Sequence, residues 1–233
     1  ITWLFRFVLT TPETASFSSK ISITDNVTGS AVRNCLFVGC TNTVRTGNCK
    51  FDNCSFVANV SGALLTKDWS PTFTNCVFWG NGAPPKDYYG SMGLFVQSKD
   101  FAATNRVKMA NCVLQSNEET SPNAPDMRDA DKTGATALLT AQAVAAATTE
   151  LTALVLRKGP RFVDPANGDW HLRQNSPLRD KALTLGWMTD DATDLDGKPR
   201  RISSDGKVYP DSLPDIGCYE CDIPKPGFLL QVR

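Results

Sequence analysis

One short pattern constrains this chain more than any other feature. Asn-Cys followed two residues later by Phe or Leu occurs at Asn34-Cys35, Asn53-Cys54, Asn75-Cys76 and Asn111-Cys112, each time inside a seven-residue copy that ends in Asn or Cys. Successive copies start 19, 22 and then 36 residues apart, the last spacing widened by an insertion. A unit returning at that period stacks into a solenoid whose copies contact only their neighbours. Two positions before each Asn stands an apolar residue: Val32, Phe51, Phe73 or Met109. Strict alternation would send Val32 and Cys35 to opposite faces, so both point inward only if the chain bends at Asn34. Asn tolerates the left-handed backbone that such a corner requires. With copies stacked about 4.8 Å apart, Asn34, Asn53, Asn75 and Asn111 are expected to form a ladder of side-chain amides. Cys35, Cys54, Cys76 and Cys112 then form an inward stack beside Phe37, Phe56, Phe78 and Leu114.

A third strand per turn fits upstream of each corner, at about residues 15–18, 43–45, 63–66 and 94–97. Three strands per turn with an Asn corner resemble the right-handed parallel β-helix of the pectate-lyase-like proteins. The expected fold is therefore all-β, a right-handed parallel β-helix. The competing reading, an antiparallel sandwich with a chance Asn-Cys dipeptide, leaves four in-register copies unexplained. A short helix near 136–150 is expected because Leu138, Ala141, Ala145, Thr148 and Leu151 share one helical face, although Leu151 to Leu156 reads equally well as a strand.

The last third changes character. Arg161-Phe162-Val163-Asp164-Pro165-Ala166-Asn167-Gly168-Asp169-Trp170-His171-Leu172-Arg173, Ser176-Pro177-Leu178-Arg179-Asp180, Asp194-Leu195-Asp196-Gly197-Lys198-Pro199-Arg200 and Pro214-Asp215-Ile216-Gly217-Cys218-Tyr219-Glu220 follow in that order. Segment by segment they resemble the C-terminal end of the choice-of-anchor Q β-helix proteins. The resemblance implies a bacterial secreted or surface protein whose solenoid is closed by this block. The division expected is β-helix rungs over 1–160, a closing block over 161–221 and a tail strand over 222–233.

The 24 basic and 24 acidic residues cancel, which removes any global electrostatic case for nucleic acid or an anionic membrane. No apolar run approaches the ~20 residues of a membrane-spanning helix. Ile1, Trp3, Phe5, Phe7 and Leu9 alternate like the inward face of a strand, and the stretch lacks the basic start and cleavage pattern of a signal peptide. Earlier rungs, a cap or another chain are therefore expected at the Ile1 end, since solenoid ends are normally covered. The core cysteines read as buried thiols. Cys218-x-x-Cys221 suits a local disulfide or half of a metal site, without a second pair to complete it.

Three sets of residues carry candidate chemistry. Asp190, Asp191, Asp194 and Asp196 before Gly197 have the density of oxygen ligands that calcium prefers, but not the spacing of an EF-hand, and capping of turns is their more ordinary use. Trp69, Asp87, Tyr88 and Tyr89 fall on turns or flank the side where the resemblance to β-helix proteins implies a ligand groove, and flat rings flanked by polar groups suit a sugar. The alternative for the tyrosines is a lid over the coil, and Trp79 reads as lateral packing. His171, the single histidine, alternates with Trp170 and Leu172 and is expected on the surface, with no orienting partner in the sequence to make it a general base. The resemblance to pectate lyases implies calcium-binding acids with a catalytic Arg or Lys on the first strand of successive rungs, and the matching strands here are nearly free of acids. The leading reading is a secreted or cell-surface module that is not an enzyme and serves carbohydrate attachment or surface structure. A polysaccharide lyase or glycosidase and a self-assembling structural subunit are the alternatives.

Overall fold

The computed structural model describes residues 2–3, 20–23, 30–39, 42–46, 48–59, 63–65, 71–81, 94–96, 108–115, 127–129, 137–138, 151–156, 159–201 and 212–221, with side chains at 30–39, 48–59, 71–81, 109–113, 159–201 and 212–221. Over these residues the regular secondary structure is almost entirely β. After β1 (Thr2–Trp3), each turn of chain runs through three short strands: β2 (Lys20–Ile23), β3 (Ala31–Arg33) and β4 (Leu36–Val38), then β5 (Asn42–Thr46), β6 (Lys50–Asp52) and β7 (Ser55–Val57), then β8 (Ala63–Leu65), β9 (Thr72–Thr74) and β10 (Val77–Trp79). The next turn opens with β11 (Leu94–Val96) and fuses its other two strands into β12 (Lys108–Gln115). β13 (Met127–Asp129), β14 (Ala137–Leu138) and β15 (Leu151–Leu156) follow, and then a hairpin of β16 (Phe162–Asp164) and β17 (Asp169–Leu172) around a single 3-10 turn, Pro165–Asn167.

Equivalent strands of successive turns pair in parallel. One nine-stranded sheet runs β1-β3-β6-β9-β12-β10-β7-β4, with β15 also on β12, and a six-stranded sheet runs β14-β13-β11-β8-β5-β2. Only the β13–β14 pair of these two sheets is antiparallel. Register follows the repeat: Phe51 lies opposite Val32 and Phe73, and Phe56 opposite Phe37 and Phe78.

The corner is visible in the backbone. Asn34, Asn53, Asn75 and Asn111 have φ of 52, 50, 54 and 53°, the left-handed region that Asn visits at least cost among residues with a side chain. A second left-handed corner follows each Phe strand, at Gly39, Ala58 and Gly80. Between the corners the side chains stack. The ring centroids of Phe37 and Phe56 are 4.6 Å apart and those of Phe56 and Phe78 4.9 Å, with the rings nearly parallel, while Phe51 and Phe73 form a neighbouring stack at 5.0 Å. Each phenyl withdrawn from water contributes roughly 2–3 kcal/mol, and each stacked pair about 1 kcal/mol more.

Two expectations need correction. The first strand of the six-stranded sheet is Lys20–Ile23, whereas residues 15–18 lie outside the described residues. The helix expected near 136–150 does not begin as one: Ala137–Leu138 pair with β13, and residues 139–150 lie outside the described residues. Leu151 to Leu156 take the strand alternative. β15 follows β12 from Met109 to Gln115 but has no residue opposite Asn111, so this layer passes the corner without an Asn and carries no visible mark in the sequence.

Candidate functional site

The described side chains with concentrated chemistry lie where the 159–221 block meets the stacked strands. That block lies along their flank and touches four successive layers. The stack presents Leu36, Val57, Val77 and Val113 outward, and these residues pack with Phe162, Trp170, Leu172, Leu178, Ala182, Leu195, Ile216, Cys218 and Cys221 in one apolar cluster. Trp79 packs against the same cluster, in the lateral position its parity suggested.

The Asn corners do double duty along this seam. Asn75 Nδ2 donates to Asn53 Oδ1 at 3.1 Å and Asn111 Nδ2 to Asn75 Oδ1 at 3.0 Å. The same row also bonds the block: Asn34 Nδ2 to the Thr193 carbonyl, Asn53 Nδ2 to that of Asp215, Asn75 Nδ2 to that of Leu183 and Asn111 Nδ2 to that of Lys181. Gly217 permits the closest approach. Its N–H donates to the Asn75 carbonyl, its φ is 106°, and a Cβ there would sit 2.9 Å from Ser55 Oγ.

A charged network is sealed beneath the block. Arg200 is fully buried and donates to Glu220 Oε1 at 2.8 Å and to Asn34 Oδ1. Asp215, also buried, accepts the N–H groups of Asp180 and Cys221 at 2.6 Å. Burial pushes its carboxyl up to about 6, against those two donors. Burial likewise raises Glu220, with the Arg200 guanidinium opposing. A buried pair of this kind fixes one arrangement more than it adds stability, because leaving either partner alone is the costly state.

The four aspartates do not gather as ligands. Buried Asp194 accepts the N–H groups of Asp196, Lys198 and Glu220, the turn-capping role. Asp190 pairs with Arg201, and Asp196 with His171 and Lys198. Among the described residues no three His, Cys, Asp or Glu side chains are grouped to hold a metal, and the carboxylates of Asp190, Asp194 and Asp196 are engaged by the protein's own donors. Cys54, Cys76 and Cys112 are buried thiols. Their Sγ atoms lie 3.3 to 3.5 Å from backbone carbonyls of their own and the preceding layer. Cys35 joins the column, its thiol pushed far above its usual range by contact with Cys54 and by burial. Cys218 keeps its thiol, so no disulfide closes the Cys-x-x-Cys, and burial pushes it up to about 12. Burial disfavours deprotonation of Cys54, Cys76 and Cys218 as well, which makes these thiols packing groups rather than nucleophiles.

His171 departs from the sequence expectation. It is partly buried, its Nδ1 lies 2.6 Å from Asp169 Oδ1 and its Nε2 2.7 Å from Asp196 Oδ2. Asp169 closes the Pro165-to-Gly168 turn, and Asp196 is 25 residues away from the histidine, so nothing in the sequence signals the pairing. With both ring nitrogens engaged, the imidazole has no lone pair to offer a substrate. A second Asn pair also forms a ladder: Asn59 Nδ2 donates to Asn81 Oδ1 at 3.0 Å, and Asn81 Nδ2 to the Phe56 carbonyl. The repeat itself was the available signal, since both residues end their copies. Trp69, Asp87, Tyr88 and Tyr89 lie outside the described residues. No helix among the described residues is long and apolar enough to cross a membrane. Comparisons with protein-family models, with curated proteins and with solved structures returned no match.

Proposed function

We propose that this chain is a right-handed parallel β-helix module of the pectate-lyase-like kind, with a choice-of-anchor Q type C-terminal block, from a secreted or cell-surface bacterial protein. It serves as a scaffold that attaches to polysaccharide and does not transform it. The observation that supports this reading is how the polar side chains are used. The Asn rows, the Arg200–Glu220 pair, Asp194, Asp215 and His171 are each bonded to another part of the same chain. Chemistry on a sugar needs instead a pair of acids, or acids with a base, that face a ligand. The strands of the six-stranded sheet carry a single acid, Asp129, where a calcium-dependent lyase would need several.

Attachment is assigned to the turn aromatics Tyr88 and Tyr89 with Trp69 and Asp87, on the sequence argument that flat rings beside polar groups suit sugar faces. The test is incubation of the full chain with acidic and neutral polysaccharides, with and without calcium, reading pull-down and the ultraviolet absorbance of unsaturated products. Binding without product, lost in Tyr88→Ala/Tyr89→Ala, is the expected result. Product formation overturns the scaffold reading in favour of a lyase. Absence of both signals with concentration-dependent association overturns it in favour of an assembly subunit.

A further inference from the structure

We propose that His171 is a proton-operated clamp fastening the β16–β17 hairpin to the turn at residues 194–199, closed while the ring carries two protons and loosened when it loses one. The inference rests on hydrogen-bond valence. Asp169 Oδ1 and Asp196 Oδ2 lie within 2.6 and 2.7 Å of the two ring nitrogens, and ionised carboxylates accept hydrogen bonds but do not donate them. A neutral imidazole has one N–H. Its second nitrogen would turn a lone pair toward a carboxylate at contact distance, so only the imidazolium satisfies both partners.

The groups that face the ring come from three segments. Asp169 lies on its own strand, Asp196 and Lys198 on the turn, and Tyr219 on the last described stretch. The Tyr219 ring is 4.2 Å away and tilted by 33°, a placement that favours a cation over its face. Lys198 Nζ, 3.7 Å from Asp196 Oδ2, competes for one carboxylate and works in the other direction. Burial disfavours the charged ring, but Asp196 and Asp169 outweigh it and hold the histidine above its usual 6.5.

The sign follows from linkage. A raised folded-state pKa gives stability that is fully present below 6.5 and is lost as pH rises through the folded value. Asp169 acts at the other end. Although burial raises it, His171 brings it net below 3.8, so its contribution is present above 3.8 and lost as pH falls through its folded value. The clamp is therefore closed in mild acid and loosens toward alkaline pH. Asp215, raised to about 6, loses its own contribution between 3.8 and about 6, below the window in which His171 acts. Loosening has a structural consequence, because Trp170 and Leu172, on either side of His171, are buried in the apolar cluster against the stack.

With one histidine in the chain, ring-nitrogen NMR of the full protein reads the clamp without ambiguity. The expected result is a titration midpoint above 6.5 with both nitrogens protonated below it. Amide-exchange protection at 169–172 and 194–200, corrected for intrinsic rates, should fall across that midpoint by about tenfold for each unit above 6.5, while 51–57 stays constant. His171→Gln should abolish this dependence. If that variant does not fold, Asp196→Asn should lower the midpoint in an otherwise native chain. A midpoint at or below 6.5, protection that ignores it, or an Asp196→Asn midpoint equal to the parent's overturns the proposal.

Discussion

The stacked strands and the C-terminal block share one apolar seam, yet they are held together in opposite ways. In the stack, each stabilising contact is repeated: Phe on Phe, Asn on Asn, Cys under Cys, with backbone ladders between. In the block, the residues that decide the structure occur once. Arg200, Glu220, Asp194, Asp215 and Gly217 each meet a specific partner 20 or more residues away in sequence. Stability in the stack is therefore distributed over neighbouring layers, whereas in the block it is concentrated in a few groups whose loss leaves a buried partner alone.

The largest test of that contrast is a change at the centre of the stack. Phe56 is fully buried between Phe37 and Phe78 and meets Phe51 and Phe73 edge-on, so Phe56→Ala should cost about 3–5 kcal/mol in denaturant unfolding. The loss should show in every layer and in the block, since the block needs the stack as its floor. Arg200→Met should be nearly as costly where it acts, about 3 kcal/mol or more, because Glu220 stays buried without its guanidinium. Amide exchange should report that loss over 194–221 with 51–57 spared, and adding Glu220→Leu should restore most of it. An equal loss in both regions would erase the distinction between them.

Gly217→Ala sharpens the seam itself. The added Cβ would meet Ser55 Oγ at 2.9 Å and Val77 Cγ2 at 3.2 Å, at a backbone φ of 106°. A destabilisation of about 1–3 kcal/mol is expected, read as faster exchange of the Cys218 amide, which donates to Ser55 Oγ. The smallest effect has the opposite sign. Ala58 occupies the second corner at φ 49°, where Gly39 and Gly80 stand in adjacent layers. Ala58→Gly should stabilise the stack by about 1 kcal/mol, raising its thermal midpoint by a few degrees and leaving the block's exchange pattern unchanged.

Particular residues explain what could be read in advance. The Asn corners and the Phe register were legible because each layer solves the same steric problem with the same residue, and repetition turns a weak local signal into a strong one. β15 was ambiguous because Thr152 and Ala153 face Ala110 and Cys112 with no counterpart to Asn111. The four aspartates lie close together in sequence, yet the carboxylates of three of them turn to different donors: Asp194 to backbone amides, Asp190 to Arg201 and Asp196 to His171. Density of acids along a chain says nothing about whether their oxygens converge, since convergence depends on the fold of the turn.

The sequence by itself determined the layered stack, because strand alternation interrupted by an Asn allows inward packing only if the chain turns at that residue. The tertiary structure alone decided where the block lies and what its charges do. Its placement along the flank depends on the outward residues Leu36, Val57, Val77 and Val113 finding apolar partners about 50 or more residues away. The pairings of Arg200 with Glu220 and of His171 with two carboxylates follow from that placement; for Arg200 and Glu220, burial also removes the water that would otherwise satisfy each charge and leaves only the partner the fold supplies.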